Sequence, residues 1–394
     1  MRFSLSILIS LLFISITPSA PVVIAEVDQG LEQQLQQVLT DFHEQNPTIP
    51  GIMVALESGQ LNLHWRGGAG VADVETNVAI TPDQPLRLAS TTKTYVAAAI
   101  LRLMEQGKLT LDDTLDQHLP EHQVDLLAGD GYRPDVISIR QVLTHTSGLF
   151  DHARRGGGYI NAVLANPARR WSRDEQLTHL VNDGDPVGTP GERFHYSDSG
   201  YILLGEILER RTAKSLAGAL RSLLKFDELG LRATWLESME PAPKNIAQRA
   251  SQYVEDMNIT SIDPTMDLYG GGGLVTTMYE LSRFYRALFE GKVFENPHTL
   301  TVMKRPVITE QARSAMLGAE NKQFAYSMGL YASELHGYTI FSHGGAWGTE
   351  GGYLPSLGLS WGMATTAPSR QRQVLRNALL EVIIDSAEKK QFKH

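Results

Sequence analysis

The sequence predicts a mixed α/β fold of the α+β type. One antiparallel sheet is assembled from strands at both ends of the chain, and a mostly helical segment is inserted between them. Three observations predict it. Strand signals open the chain at 52–65 and return only after about residue 326. Between them, over about 108–310, apolar residues recur at helical spacing with loop breaks. Terminal strands and a helical middle are reconciled most economically by one sheet, built from about 30–90 and 315–390, carrying the segment at about 108–310 as an insert.

The elements follow in order. Met1-Arg2 and the apolar run Leu5–Ile16 read as an export signal, too short for a membrane span. Cleavage after Ala25 fits the small residues of Val23-Ile-Ala25, and an uncleaved anchor is the competing reading. The protein is therefore expected in the periplasm or the medium, with membrane contact only through this leader. In 31–44, Leu31, Leu35, Val38, Leu39 and Phe42 share one helical face. Ile52–Leu56 and Leu61–Trp65, separated by Glu-Ser-Gly-Gln, read as a hairpin. Thr91–Gln106 is helical and stops at Gly107. Helical patterns continue at Ile139–Leu143, Gly200–Arg210, Ser215–Lys225 and Met278–Phe289. Strands are expected again at Tyr326–Ala332, Tyr338–Ser342 and Gly352–Thr366, the last with Gly and Pro breaks, before a final helix from about Ser369 to Ser386.

Composition narrows the function classes. The 394 residues carry a net charge of −9 and no dense Lys/Arg run, which argues against nucleic acid as a partner. The chain has no cysteine, so neither a disulfide nor a thiolate nucleophile is available. Gly270–Gly273 lacks the spacing of a phosphate-binding loop, and no Gly-x-Ser-x-Gly elbow occurs. No cofactor or metal is expected. His118-Leu-Pro-Glu-His122 matches a zinc pattern, but Pro120 breaks the helix that pattern needs.

Chemistry is suggested by Ser90-Thr-Thr-Lys93. A serine hydroxyl needs a base, and on a helix positions i and i+3 share a face. If Ser90 opens the helix, Lys93 reaches back to its hydroxyl, and the helix N-terminus favours a developing alkoxide. A simple cap is the competing reading. Ser-x-x-Lys arises by chance about once in a chain of this length. It recurs here as Ser222-Leu-Leu-Lys225 inside a helical pattern, where the serine has no helix-end field.

Two further segments add to it: Phe194-His-Tyr196-Ser-Asp198-Ser-Gly, and Phe341-Ser-His343-Gly344-Gly345-Ala346 at a strand end. With Ser90-x-x-Lys93 they resemble, in order, the Ser-x-x-Lys, Tyr-x-Asn and Lys/His-x-Gly motifs of the serine β-lactamase and penicillin-binding family. The similarity is to the branch of class C β-lactamases, D-alanyl-D-alanine carboxypeptidases, D-aminopeptidases and esterases. Leu143-Thr-His-Thr-Ser-Gly-Leu149, Thr189–Phe194 and Gly271–Thr277 fit as flanks, and the resemblance covers about residues 30–385. It implies that Ser90 forms an acyl-enzyme and that Lys93 and Tyr196 share the proton work. Nearby cations would lower the Tyr196 pKa towards neutrality. His343 would line the opposite wall on an edge strand. The N–H groups of Ser90 and Ala346 would form an oxyanion hole, with Gly344 and Gly345 letting a substrate backbone come close.

Two departures stand out. Asp198 replaces the asparagine, and an ionised carboxylate beside Lys93 would hold it protonated. Either Asp198 is protonated or Tyr196 is the main base. The run His343-Gly-Gly-Ala346 also lacks the Lys or hydroxyl groups that relatives turn to a substrate carboxylate. That lowers the expectation of β-lactamase or carboxypeptidase activity and raises esterase, amidase and D-aminopeptidase activity. The expected partner is a peptide or small-molecule substrate, including peptidoglycan fragments. The alternative is a non-catalytic penicillin- or peptidoglycan-binding sensor. His145 reads as a hydrogen-bonded structural residue before a turn. His195, next to Tyr196 in an extended segment, is expected on the opposite face.

Overall fold

A computed structural model of the chain describes residues 29–306, 325–369 and 371–391. The leader expected at 1–25 and the start of the second sheet segment, 315–324, lie outside the described residues. The hairpin strands β1 (Gly51–Ser58) and β2 (Leu63–Asp73) are joined at one edge by the short β3 (Val78–Ala79). From the C-terminal end come β9 (Ala325–Tyr326), β10 (Tyr331–Leu335), β11 (Tyr338–Gly344), β12 (Thr349–Leu354) and β13 (Leu359–Thr365). β1 pairs antiparallel with β13, closing one eight-stranded sheet in the order β3-β2-β1-β13-β12-β11-β10-β9. The two ends of the chain therefore do build a single antiparallel sheet, as the pattern predicts.

Both faces of that sheet are covered, so its central strands are buried at every position. Alternation assigns the faces. Ile52, Val54, Leu56, Leu359, Trp361 and Met363 point to helix α1 (Gln29–Gln45) and the C-terminal helix Arg372–Gln391. Met53, Ala55 and Ala364 face the second core, which holds helix α2 (Thr92–Glu105). Helix α2 is buried on every side from Thr92 to Leu103, as a helix apolar all round should be.

The middle of the chain is less purely helical than its pattern suggests. It carries helices α3 (Glu121–Gly129), α4 (Ile139–Leu143), α5 (Gly158–Ala165), α6 (Arg173–Asn182), α7 (Asp198–Thr212) and α8 (Leu216–Leu223). It also carries a small sheet of β4 (Leu86–Arg87), β5 (Trp235–Leu236) and β8 (Leu274–Thr276), and a two-stranded ribbon of β6 (Tyr253–Val254) and β7 (Met257–Asn258). These strands are two or three residues long, too short for a period to show. Helices α9 (Met278–Phe289) and α10 (Pro297–Lys304) follow, and α9 packs directly on β1, β12 and β13.

That docking depends on two glycines. Gly351 and Gly362 are register partners on β12 and β13. A Cβ on Gly362 would lie 2.1 Å from the Met278 carbonyl oxygen, and one on Gly351 would lie 2.4 Å from the Tyr285 ring. Gly362→Ala must therefore lift the helix off the sheet. The expected loss is about 2–3 kcal/mol in urea denaturation, typical of overpacking. An unchanged midpoint would show that the contact yields freely.

Two expected strands are each divided. Tyr326–Ala332 is broken into β9 and β10 by a turn with Gly329 at φ 71°. The turn is held because Thr94 Oγ1 donates to the Gly329 carbonyl (2.7 Å), and a Cβ there would strike the Lys93 carbonyl at 2.8 Å. Gly352–Thr366 is split between β12 and β13 by Pro355-Ser-Leu and Gly358 at φ 52°.

Candidate active site

Ser90 sits in the 3-10 turn Ala89–Thr91 that leads into α2. Ala89 is held at φ 47°, a left-handed conformation that costs a non-glycine residue about 1–2 kcal/mol. The surroundings over-determine it. The Leu88 N–H donates to the Leu274 carbonyl (2.8 Å), and Thr349 Oγ1 donates to the Leu88 carbonyl (2.7 Å). Thr91 Oγ1 donates to the His343 carbonyl at 3.3 Å, tying the serine turn to the end of β11.

Lys93 has a side-chain exposure of 0%. Its Nζ donates to Ser90 Oγ (3.1 Å), to the Gly271 carbonyl (2.7 Å) and to Asp198 Oδ1. Nζ thus has three oxygen partners, of which Ser90 Oγ is one. Tyr196 lies in the extended segment before α7, whose cap Ser197 accepts from the Gly200 N–H and donates to the Phe150 carbonyl. The Tyr196 phenol lies near enough to Ser90 for the serine to affect its titration, and its ring lies on that of His145, centroids 4.2 Å apart. The lysine and the tyrosine of the motifs thus lie on the same serine, with Lys93 in direct hydrogen-bond contact. The Tyr196 phenol does not titrate towards neutrality, however. Burial first, then the charge of Asp198, pushes its pKa well above the ordinary value, and Ser90 offsets only part of this. The expectation of a cation-lowered tyrosine weighed Lys93 and missed the desolvation.

Asp198 is not the only carboxylate here. Asp151 Oδ1 accepts from the Asp198 N–H (3.0 Å), and Asp267 Oδ2 accepts from Trp347 Nε1 (3.0 Å). Each is pushed up to about 7 by desolvation first and the Asp198 charge second. Neither appears among the motif residues. Asp151 follows the Thr-Ser-Gly-Leu flank by two positions and Asp267 precedes the glycine run by three, but no local spacing marks either.

Asp267 yields a pH-dependent expectation. An acid whose folded pKa lies above its unfolded value costs nothing while protonated, below about pH 4. The cost grows as pH rises and is complete above the folded value. Asp267→Asn keeps an oxygen for Trp347 and removes the charge. It should stabilise the protein by about 4 kcal/mol at pH 8 and by little at pH 4. An equal gain at both pH values in urea denaturation would sink this account.

His343 departs from expectation. It is 1% exposed, so it does not line an open wall. Its strand β11 is interior to the sheet; only beyond Ser342, where β10 begins at Tyr331, does the edge open. The ring is part of a hydrogen-bond chain with fixed direction. The Ser197 N–H donates to His145 Nδ1 (3.1 Å), so the His145 proton is on Nε2, which meets the Tyr326 hydroxyl at 3.1 Å. Tyr326 then donates to His343 Nε2 (3.3 Å), and His343 Nδ1 donates to the Gly344 carbonyl (2.9 Å). Burial first and Lys93 second lower His145 well below its usual value and bring His343 down to about 3, so both rings are neutral. His145 is thus the structural residue its position suggested.

The glycines are also occupied differently. A Cβ on Gly345 would lie 2.0 Å from the Leu88 carbonyl, and one on Gly344 would lie 2.4 Å from Arg372 Nη2. The missing side chains admit the protein's own groups rather than a substrate backbone. Ala346 is exposed, and neither its N–H nor that of Ser90 has an acceptor among the described residues. The second Ser-x-x-Lys is resolved by its surroundings. Ser222 Oγ donates to the Gly218 carbonyl (2.7 Å) and Lys225 Nζ pairs with Glu295 (2.8 Å). His118 and His122 bond to different carboxylates, Asp113 and Asp174. The His195 Nε2 has no partner among the described residues.

An antiparallel sheet bearing a helix-rich insert, with a serine and a lysine one helical turn apart where the two meet, is the architecture of the β-lactamase fold, and that is the fold class of this protein. The chain belongs to the Beta-lactamase family, whose model matches residues 32–383. It is 35% identical over 217 residues to esterase EstB of Burkholderia gladioli, covering 54% of this chain and 53% of that protein. The chain spans about a third to a half of the length of the first curated relatives it matches. Among solved structures it is similar to the D-amino acid amidase of Ochrobactrum anthropi SV3, with TM-score 0.74, 21% identity, and 91% of this chain and 100% of that one covered. It is also similar to a D-stereospecific amidohydrolase from Streptomyces sp., with TM-score 0.72, 23% identity, and 87% and 97% covered. At these identities the structural likeness speaks for the fold alone.

Proposed function

We propose that the protein is an exported serine hydrolase that cleaves a small ester, or an amide of a D-amino acid or D-amino-acid peptide, through an acyl-enzyme on Ser90. The observation that carries the reading is the hydrogen bond from Lys93 Nζ to Ser90 Oγ, with the Tyr196 phenol close by and the Ser90 and Ala346 N–H groups without acceptors among the described residues. Export rests on the pattern of residues 1–25. The ester class is supported by the esterase relative, and the ester and D-amide classes together by the lack of a hydroxyl along Gly344-Gly345-Ala346.

In this reading Nζ first sheds a proton, because as an ammonium it faces Ser90 only as a donor. Ser90 Oγ then bonds to the substrate carbonyl carbon while its own proton passes to the Lys93–Tyr196 pair. The carbonyl π electrons move to oxygen, which the Ser90 and Ala346 N–H groups receive. As the bond to the leaving alcohol or amine breaks, Tyr196 protonates the departing atom and is reprotonated from Lys93. Water then releases the acid by the same steps in reverse roles.

A fluorophosphonate probe and a labelled penicillin test this, with Ser90→Ala as control. Label on Ser90 of the wild type and none on the variant is the expected result. Ser90-independent label, or none from either probe, would overturn the enzyme reading in favour of a binding protein. Turnover of p-nitrophenyl acetate and D-Ala-p-nitroanilide is expected to exceed that of nitrocefin and a D-Ala-D-Ala peptide.

A further inference from the structure

The first turn of the C-terminal helix touches the segment 344–346, where β11 ends at Gly344. Arg372 Nη1 donates to the Gly345 carbonyl at 3.2 Å. The Gly345 C=O and the Ala346 N–H are the two ends of one peptide plane. The guanidinium occupies the space a Gly344 side chain would fill. It is held there by Glu350, which is register partner to Gly344 and 2% exposed. Glu350 Oε2 accepts from Arg372 Nε (3.4 Å), and its Oε1 accepts from Arg376 Nη1 (3.1 Å). The same Gly345 carbonyl also accepts from the Gly348 N–H at 3.1 Å.

We propose that Arg372 is a positioning residue for the oxyanion site: by holding the Gly345 carbonyl it fixes the plane of the Gly345–Ala346 peptide and strengthens the Ala346 N–H as a donor. The physical reason is amide resonance. A cation on the carbonyl oxygen increases C–N double-bond character and draws electron density from nitrogen, and hydrogen bonds in sequence polarise one another. A donor that is pre-aimed stabilises charge as it develops, without reorganising. Arg372 makes no contact with the reacting atoms in this role. Glu350 anchors it from behind through Oε2; Arg376 meets only the other oxygen of that carboxylate.

The inference rests on the acyl-enzyme reading, and the test separates the two. Wild type, Arg372→Gln, Arg372→Lys and Arg376→Gln are compared on neutral p-nitrophenyl acetate. The carbonyl stretch of a ¹³C-labelled acyl group on Ser90 is followed by infrared difference spectroscopy. Arg372→Gln is expected to lower kcat about tenfold, a fraction of what losing a whole oxyanion donor costs, with KM within about twofold. Its acyl carbonyl should move to higher frequency, reporting weaker polarisation. Arg372→Lys, which can still place a cation on the Gly345 oxygen, should recover most of both. Arg376→Gln breaks the other half of the Glu350 ion pair without touching Gly345. It should lower stability yet leave kcat and the carbonyl frequency unchanged, which controls for loss of folding. An unshifted carbonyl with unchanged kcat in Arg372→Gln overturns the proposal. So does a change confined to KM for carboxylate-bearing substrates, which would make Arg372 a substrate ligand. If wild type forms no acyl adduct on Ser90 at all, the hydrolase reading falls, and this inference with it.

Discussion

Lys93→Met should lower kcat/KM for p-nitrophenyl acetate by about a thousandfold or more, the range for losing a positioned general base. Methionine is unbranched and close to lysine in length, so it can fill a site that is 0% exposed. What it cannot do is hold or take a proton. The Ser90 hydroxyl would keep only Tyr196, a phenol held protonated by burial and by Asp198. Arginine is the informative second variant. It keeps a positive charge beside Asp198 but does not give up its proton at any working pH. If Lys93 acts as a base, Lys93→Arg stays as inactive as Lys93→Met. Recovery of more than about tenfold by arginine would recast Lys93 as a countercharge.

The second large effect is in pH dependence. Asp198 adds negative charge beside Tyr196 and accepts one of the Nζ protons. Asp198→Asn keeps an acceptor for Nζ and removes that charge. The acid limb of the kcat/KM profile should then move down by about one pH unit, the scale of a contact charge. At pH 6 the variant should be about tenfold faster than wild type, and near pH 9 the two should converge. The sign is the same whether lysine or tyrosine takes the serine proton, because the aspartate opposes both. A profile that overlays wild type would show that Asp198 does not tune the base.

What could be read from the chain and what could not divide along physical lines. Ser90 and Lys93 were legible as a spacing of one helical turn, and Tyr196 through the resemblance of Tyr196-Ser-Asp198 to the Tyr-x-Asn motif. The sheet was legible because strand signals sit at the two ends of the chain with helical patterns between them, an order that one shared antiparallel sheet reconciles. Asp151 and Asp267 were not legible. They stand 47 and 69 positions from Asp198 on opposite sides of it, and only tertiary packing brings them near. The same holds for Gly344 and Gly345. Sequence shows that a side chain is missing, and only the structure shows that Arg372 and the Leu88 carbonyl fill the space. The Tyr196 phenol was misjudged for a related reason: a neighbouring cation can be inferred from a motif, but the depth of burial that outweighs it cannot.

The hydrogen-bond chain through His145, Tyr326 and His343 bears on where protons are free to go. Its first member is pinned by a backbone N–H and its last by a backbone carbonyl. Neither terminus can switch between giving and receiving. A Grotthuss relay needs every link to turn around after passing a charge, and this one has no second orientation. It is an insulator buried behind the serine. On the proposed acyl-enzyme reading, a proton taken from Ser90 by Lys93 or Tyr196 has no side exit through the imidazoles and stays available for the leaving group.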